Sequence, residues 1–192
     1  KTTDGGKNWT KVLYASNAAG AVDLIMDPSN PDILYATTWD IKRTPYSLES
    51  GGPDSKMYKT MDGGETWEDL TKNEGFPQGL LGIMGVTISP KNSNRLYSII
   101  ENENGGVYTS KDAGKTWEMV NEDRSLRQRA WYYTRIFADS QDEETVYVLN
   151  VSYHKSTDGG KTFKGANAPH GDHHDLWIDP QNNQRMIIAD DG

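Results

Sequence analysis

The sequence predicts an all-β protein built from repeated four-stranded units, and three observations carry that expectation. One motif of nine residues occurs four times, at residues 1–9, 59–67, 109–117 and 155–163. Between the copies lies a second repeat, an apolar-alternating run, a polar turn and another apolar run. The chain also holds six Trp, ten Tyr and 19 Gly, a composition that suits many short strands joined by tight turns. The motif aspartates Asp4, Asp62, Asp112 and Asp158 stand 58, 50 and 46 residues apart. Repeats of that period build solenoids, propellers or arrays.

Each motif copy reads as a strand end, a tight turn and a strand start. Asp-Gly-Gly or Asp-Ala-Gly makes the turn, where glycine tolerates positive φ. The Asp carboxylate can accept hydrogen bonds from the turn's own N–H groups. The ring that follows (Trp9, Trp67, Trp117 or Phe163) can pack beneath it. These residues are therefore expected to build the fold, not to perform chemistry.

The second repeat supplies the other two strands. Its copies are GAVDLIMDP with ILYATTW (20–28 and 33–39), GIMGVTISP (82–90) with 95–100, WYYTRIFADS (131–140) with 145–150, and HHDLWIDP (173–180) with 185–190. Alternation and turn chemistry make each a hairpin. The expected organisation is one repeat array over residues 1–192. It comprises the end of one blade at 1–19, blades at 20–70, 82–119 and 131–164, and the first half of another at 173–192.

The four motif copies resemble the Asp box, or BNR repeat, of sialidases, sortilin-type (VPS10) domains and related β-propellers, where the box closes the hairpin between a blade's third and fourth strands. The runs GAVDLIMDP, RTPYSLESGGP with KTMDGGETW, LRQRAWYYTRI, KSTDGGKTF and HGDHHDLWIDP are similar to those of large bacterial proteins labelled BNR glycosyl hydrolase or VPS10 domain. The resemblance implies a β-propeller, of which this chain is an arc of about four blades. It also implies a secreted, periplasmic or cell-surface setting, with the remaining blades of the same parent chain as neighbours. It transfers no catalytic residue. The Phe/Tyr-Arg-Ile-Pro motif of sialidases is absent, and Arg43-Thr44-Pro45 does not replace it. A xyloglucanase-like hydrolase would use two aspartates as acid and base, parts that Asp23 and Asp175 could take.

Composition removes several functions. The net charge of -8 argues against a nucleic-acid partner. No run of about 18 apolar residues exists to span a membrane. There are no cysteines, and no cofactor is expected.

In the alternating topology, all long loops (14–19, 40–55, 72–81, 121–130 and 164–172) fall on the face opposite the boxes. A rigid scaffold with its loops on one face places function there. On the innermost strand, positions one, three and five before the Asp-Pro site are mostly apolar. The position four before it carries Asp23, Gly85, Arg135 and Asp175, and the one six before carries Ala21, Ile83, Tyr133 and His173. Charge on an inner strand is costly unless paired. It therefore reads either as an ion-pair network of Asp23, Arg135 and Asp175 between blades or as a binding site at the channel mouth.

Two further stretches stand out. PHGDHHD (169–175) gathers His and Asp as metal sites do. In a regular strand Asp172 and His174 would face one way and His173 and Asp175 the other. That is too few for a closed site without help from Asp190 or Asp191, so a polar channel mouth is expected and no metal. NEDRSLRQRAWYYTR (121–135) carries four arginines and three adjacent aromatics, suited to carboxylates and to sugar or peptide side chains. The expected ligand-binding set is Asp23, Arg43, Arg129, Tyr133, Arg135, His173, His174, Asp175 and Asp190, for a protein, peptide or glycan.

Overall fold

The computed structural model describes residues 1–132 and 134–192. Its first sheet takes the order β1 (Ala19–Asp27), β2 (Asn30–Arg43), β4 (Met57–Thr60), β5 (Glu68–Asp69). A short β3 (Leu48–Ser50) pairs with the far end of β2. The second sheet runs β6 (Met84–Ser89), β7 (Asn92–Ile100), β8 (Gly106–Ser110), β9 (Glu118–Asn121). The third runs β10 (Arg135–Ala138), β11 (Val146–Leu149), β12 (Tyr153–Ser156), β13 (Lys164–Gly165). The fourth is the pair β14 (His173–Ile178) and β15 (Met186–Asp190). All these strand pairs are antiparallel. The inner strands touch in succession, β1 with β6, β6 with β10 and β10 with β14. This is an arc of β-propeller blades.

The segment 40–55 departs from its expected form. It is not a loop: β2 continues to Arg43 and folds back through β3, with Ile41 opposite Ser50. Backbone pairing and the Trp39 indole, which donates to the Ser50 hydroxyl at 2.9 Å, hold this extension over the loop face.

Each Asp box repeats one hydrogen-bond circuit. In the second copy Thr60 Oγ1 donates to Asp62 Oδ1 and accepts from the Gly64 N–H. Asp62 accepts the Thr66 N–H on one oxygen and the Thr66 hydroxyl on the other. The Trp67 indole donates to the Gly64 carbonyl at 3.2 Å. Asp4, Asp112 and Asp158 accept in the same way from Asn8, Thr116 and Thr162. The two residues after each aspartate have positive φ, including Ala113 at 61° where the other copies have glycine.

The core lies between blades. Tyr35, Met57 and Leu70 of the first blade pack with Met84, Val86, Ile88 and Leu96 of the second. Tyr97, Ile99 and Val107 pack with Ile136, Val146 and Val148 of the third. Tyr147 and Leu149 pack with Leu176 of the fourth. Val86 and Ile88 are buried, whereas Leu24 and Met26, at the same register positions in the first blade, are exposed because no blade covers them. Trp177 and Ile187 are likewise exposed on the outer face of the fourth.

The aspartates before the inner-strand turns act as staples. Asp27 Oδ1 accepts from Ser29 in its own turn and from the Ser93 hydroxyl of the next blade. Asp139 Oδ1 does the same with the Gln141 N–H and the Asn183 amide.

Candidate functional site on the loop face

Two features share the face opposite the boxes. The first is the inner-strand column. β1 and β14 each carry a register irregularity, between Ala21 and Asp23 and between His173 and Asp175. β6 pairs regularly over the corresponding residues, Met84 with Ile100 and Gly85 with Ile99. Bulges bend a strand and re-aim its side chains, and both bulges here stand at the aspartates. Each carboxylate accepts the N–H of the residue after it, from Leu24 and from Leu176.

Asp23 reaches further. Its Oδ2 accepts the Val86 N–H at 3.0 Å, and its Oδ1 lies 3.5 Å from Arg135 Nη1. Gly85 lets the backbone before β10 approach β6 closely, because a Cβ there would come within 2.7 Å of the Thr134 carbonyl oxygen. Burial pushes the Asp23 carboxyl above the usual range; the Val86 N–H, the Arg135 charge and the Leu24 N–H pull it down, and the charge of Asp175 pushes it up again. Asp23 and Arg135 thus form an ion pair across blades. Asp175 is exposed and adds a second negative charge to the column.

The His/Asp run differs from a regular strand. Asp172 precedes β14 with φ at 61°, and the bulge breaks the alternation that would set Asp172 with His174 and His173 with Asp175. His173 is buried with its ring edge-on to Tyr153 at 6.0 Å, and its Nδ1 has no hydrogen-bond partner. His174 Nε2 lies 3.2 Å from Asp191 Oδ1, and its ring meets Tyr132. Asp190 stands opposite His173 in the ladder and accepts the Gly192 N–H. Among the described residues no group of three His, Asp or Glu side chains is placed to hold a metal.

The second feature is a groove of about 500 Å³ between the β3 extension and the connections into β6 and β10. One wall is Ser50 and Glu101: the Ser50 hydroxyl donates to Glu101 Oε2 at 2.6 Å, and the Ile83 N–H donates to the same oxygen. The other wall is a 3₁₀ helix, Arg124–Arg127, capped by Asp123, which accepts the Ser125 N–H. Three residues per turn set Arg124 and Arg127 one above the other, while Leu126 is buried beneath. A tight turn follows, with Arg129 at φ 53° and the Tyr132 N–H on the Arg129 carbonyl, and it carries Trp131. Trp131 is 48% exposed and Leu80, on the facing loop, 64%.

The structure brings Asp23, Arg135 and Asp175 together and sets His174 beside Tyr132 at the same end of the strands. It separates Arg43, which is exposed near the turn of the β2–β3 hairpin. Arg129 is not part of the groove lining; its guanidinium lies over the Tyr132 ring. Tyr133 falls outside the described residues. Sequence reasoning left Arg124 and Arg127 out of the expected set, although they lie in the same arginine run. The available signal was their three-residue spacing behind an Asp cap.

The fold and the boxes define a BNR-type β-propeller. A family model for the BNR/Asp-box repeat matches residues 108–119. Among curated proteins, the chain is similar to an oligoxyloglucan-reducing end-specific xyloglucanase from Emericella nidulans, 23% identical over 54% of this chain and 18% of that protein. Among solved structures it resembles a GH74 enzyme from Niastella koreensis, with TM-score 0.55 and 19% identity over 85% of this chain and 25% of that one. It also resembles YCF48 from Cyanidioschyzon merolae, with TM-score 0.56 and 14% identity over 91% and 51%. A third likeness is to YCF48 bound to D1 peptide, with TM-score 0.53 and 15% identity over 81% and 42%. The chain therefore spans between 18% and 51% of the length of these proteins.

Proposed function

We propose that this chain is a recognition propeller that holds a polymer, glycan or peptide, across its loop face from the groove to the channel mouth. The observation that carries the reading is the state of Asp23. Its oxygens are taken up by two backbone N–H groups and the Arg135 guanidinium. A carboxylate held this way is fixed in direction and orients a partner. The similar proteins fit such a role by their names alone: one acts on oligoxyloglucan and one holds a peptide. This reading places the protein where such ligands are met, secreted, periplasmic or at the cell surface. It takes the uncovered apolar faces of the first and fourth blades as seats for further blades.

A second reading, a glycoside hydrolase, has one observation in its favour. Burial and the neighbouring Asp175 raise the Asp23 carboxyl, as suits a general acid. One experiment separates the two. The full chain is presented with neutral and acidic polysaccharides and with peptides, scoring retention and new reducing ends. Retention without cleavage is expected. Reducing ends that vanish in Asp23→Asn or Asp175→Asn would establish the hydrolase and overturn the recognition reading.

A further inference from the structure

We infer that the groove between Arg124, Arg127 and Trp131 is a subsite for a carboxylate-bearing sugar, a hexuronate unit of an acidic glycan. The inference deepens the recognition reading and rests on it. It begins from what the groove has left to offer. The Asn102 amide donates to the carbonyls of Gln78 and Leu80, and its oxygen accepts the Asn104 N–H. The Gln78 amide donates to the Phe76 carbonyl. Glu101 Oε2 is held by Ser50 and Ile83. These groups are spent on holding the loops.

Two guanidiniums remain. Among the described residues neither Arg124 nor Arg127 has a carboxylate within ion-pair distance, and Arg127 Nε is buried with no hydrogen-bond partner. Their stacking on one 3₁₀ turn brings like charges together. The Arg127 guanidinium is disfavoured by burial first and by Arg124 second, while Tyr108 and the more distant carboxylates of Glu101 and Asp123 offset this only in part. Gly105 lets it lie close, since a Cβ at that position would come within 2.7 Å of Arg127 Nη1. A partly desolvated Arg127 guanidinium beside an exposed Arg124, neither in an ion pair among the described residues, favours an anion that both can grip, and a carboxylate matches the planar fork of arginine.

The neighbours of the pair select the sugar. Trp131 offers a half-exposed indole, and Leu80 an exposed apolar side chain. A hexuronate carries a CH face for the indole and a carboxylate for the arginines on one rigid ring. Both contacts then form with little torsional ordering, whereas an acidic peptide side chain must freeze its own rotamers. Glu103, exposed at the rim, is free to accept from sugar hydroxyls. The net charge of -8 works against unspecific attraction of a polyanion, so any such binding is local to this pair.

The test is titration calorimetry of the full chain with polygalacturonate, its methyl-esterified form, a neutral xyloglucan and poly-glutamate. Polygalacturonate is expected to bind, and esterification to weaken binding by about tenfold or more, the loss of a charge-assisted contact. Arg124→Gln and Arg127→Gln should each weaken polygalacturonate binding by a similar factor. Arg124 is exposed, so its variant keeps the test sound if Arg127→Gln folds poorly. Lys161→Gln, the same charge change on the box face, should leave binding unaltered. Equal binding of acid and ester, or no response to Arg124→Gln in folded protein, overturns the subsite. Binding of xyloglucan or poly-glutamate alone overturns it while leaving polymer recognition standing; binding of none removes both.

Discussion

The two faces of this arc use the same residue in opposite ways. On the turn face, four aspartates sit in boxes, and each accepts hydrogen bonds from a neighbour no more than four residues along the chain. On the loop face, Asp23 is largely buried and reaches the Val86 N–H, 63 residues away. The consequence appears in their acidity. The Asn8 N–H and its amide hold Asp4 down at about 2. For Asp158, burial acts upward, but the hydroxyl and N–H of Thr162 outweigh it and bring the carboxyl to about 2. Burial drives Asp23 the other way. A local circuit keeps its carboxylate charged and fixes a turn. A cross-blade contact holds a charge under tension where a ligand could meet it.

The comparison is broken most severely through the box rings. Trp117 is 5% exposed and packs edge-on against Phe76 at 5.6 Å, while Trp9, with the same indole-to-glycine bond, is 73% exposed. Trp117→Ala should cost about 3–5 kcal/mol, as large-to-small core changes do. Trp9→Ala should stay within about 0.5 kcal/mol, as at other surface sites. Urea denaturation of both variants checks this. Equal losses would mean that the box ring stabilises its own turn and not the blade interface.

Next in size is the carboxylate itself. Asp112→Ala strips acceptors from the Thr116 N–H and hydroxyl and from Ser110, and should cost about 1–3 kcal/mol without changing ligand binding. Asp23→Asn should move stability by less, within about 1 kcal/mol, because losing the half-exposed Arg135 contact is offset by relieving a buried charge. Its effect belongs in ligand binding. An Asp23→Asn penalty larger than that of Asp112→Ala would make Asp23 a staple of the blades and remove it from the site.

This division explains what could be read from the chain. The boxes, the blade hairpins and the face carrying the long loops are set by residues close in sequence: Asp-x-Gly turns, alternation, Asp-Pro ends. The inner-strand column was visible because the repeat aligns Asp23 with Arg135. The bulges at Asp23 and Asp175 were not, since they fall near the start of each strand, before the apolar alternation is long enough to register the extra residue. That is why the faces expected for His173 and His174 failed. Nor was the groove legible as a cavity, because β3, the Glu101 loop and Arg124 come from three different connections. The β3 extension hid inside a segment expected as one of the long loops, because a three-residue strand is too short to show alternation.

The smallest expected effect is the sharpest, because its sign differs between the faces. In the fold Asp23 binds its proton above the usual value of 3.8, so as pH falls the native state takes it up before the unfolded chain does. The strain of this charge is fully present above the folded pKa and is relieved as pH falls through it, so the unaltered protein gains on Asp23→Asn. Asp158 is depressed to about 2. Its contribution is fully present above the unfolded value of 3.8 and is lost as pH falls toward 2, so the advantage over Asp158→Asn shrinks there. Both slopes come from midpoints of urea unfolding measured from pH 7 down to 2.5 for the three proteins. If the Asp23 difference also shrinks on acidification, its carboxylate is stabilised like a box aspartate, and the contrast between the two faces does not hold.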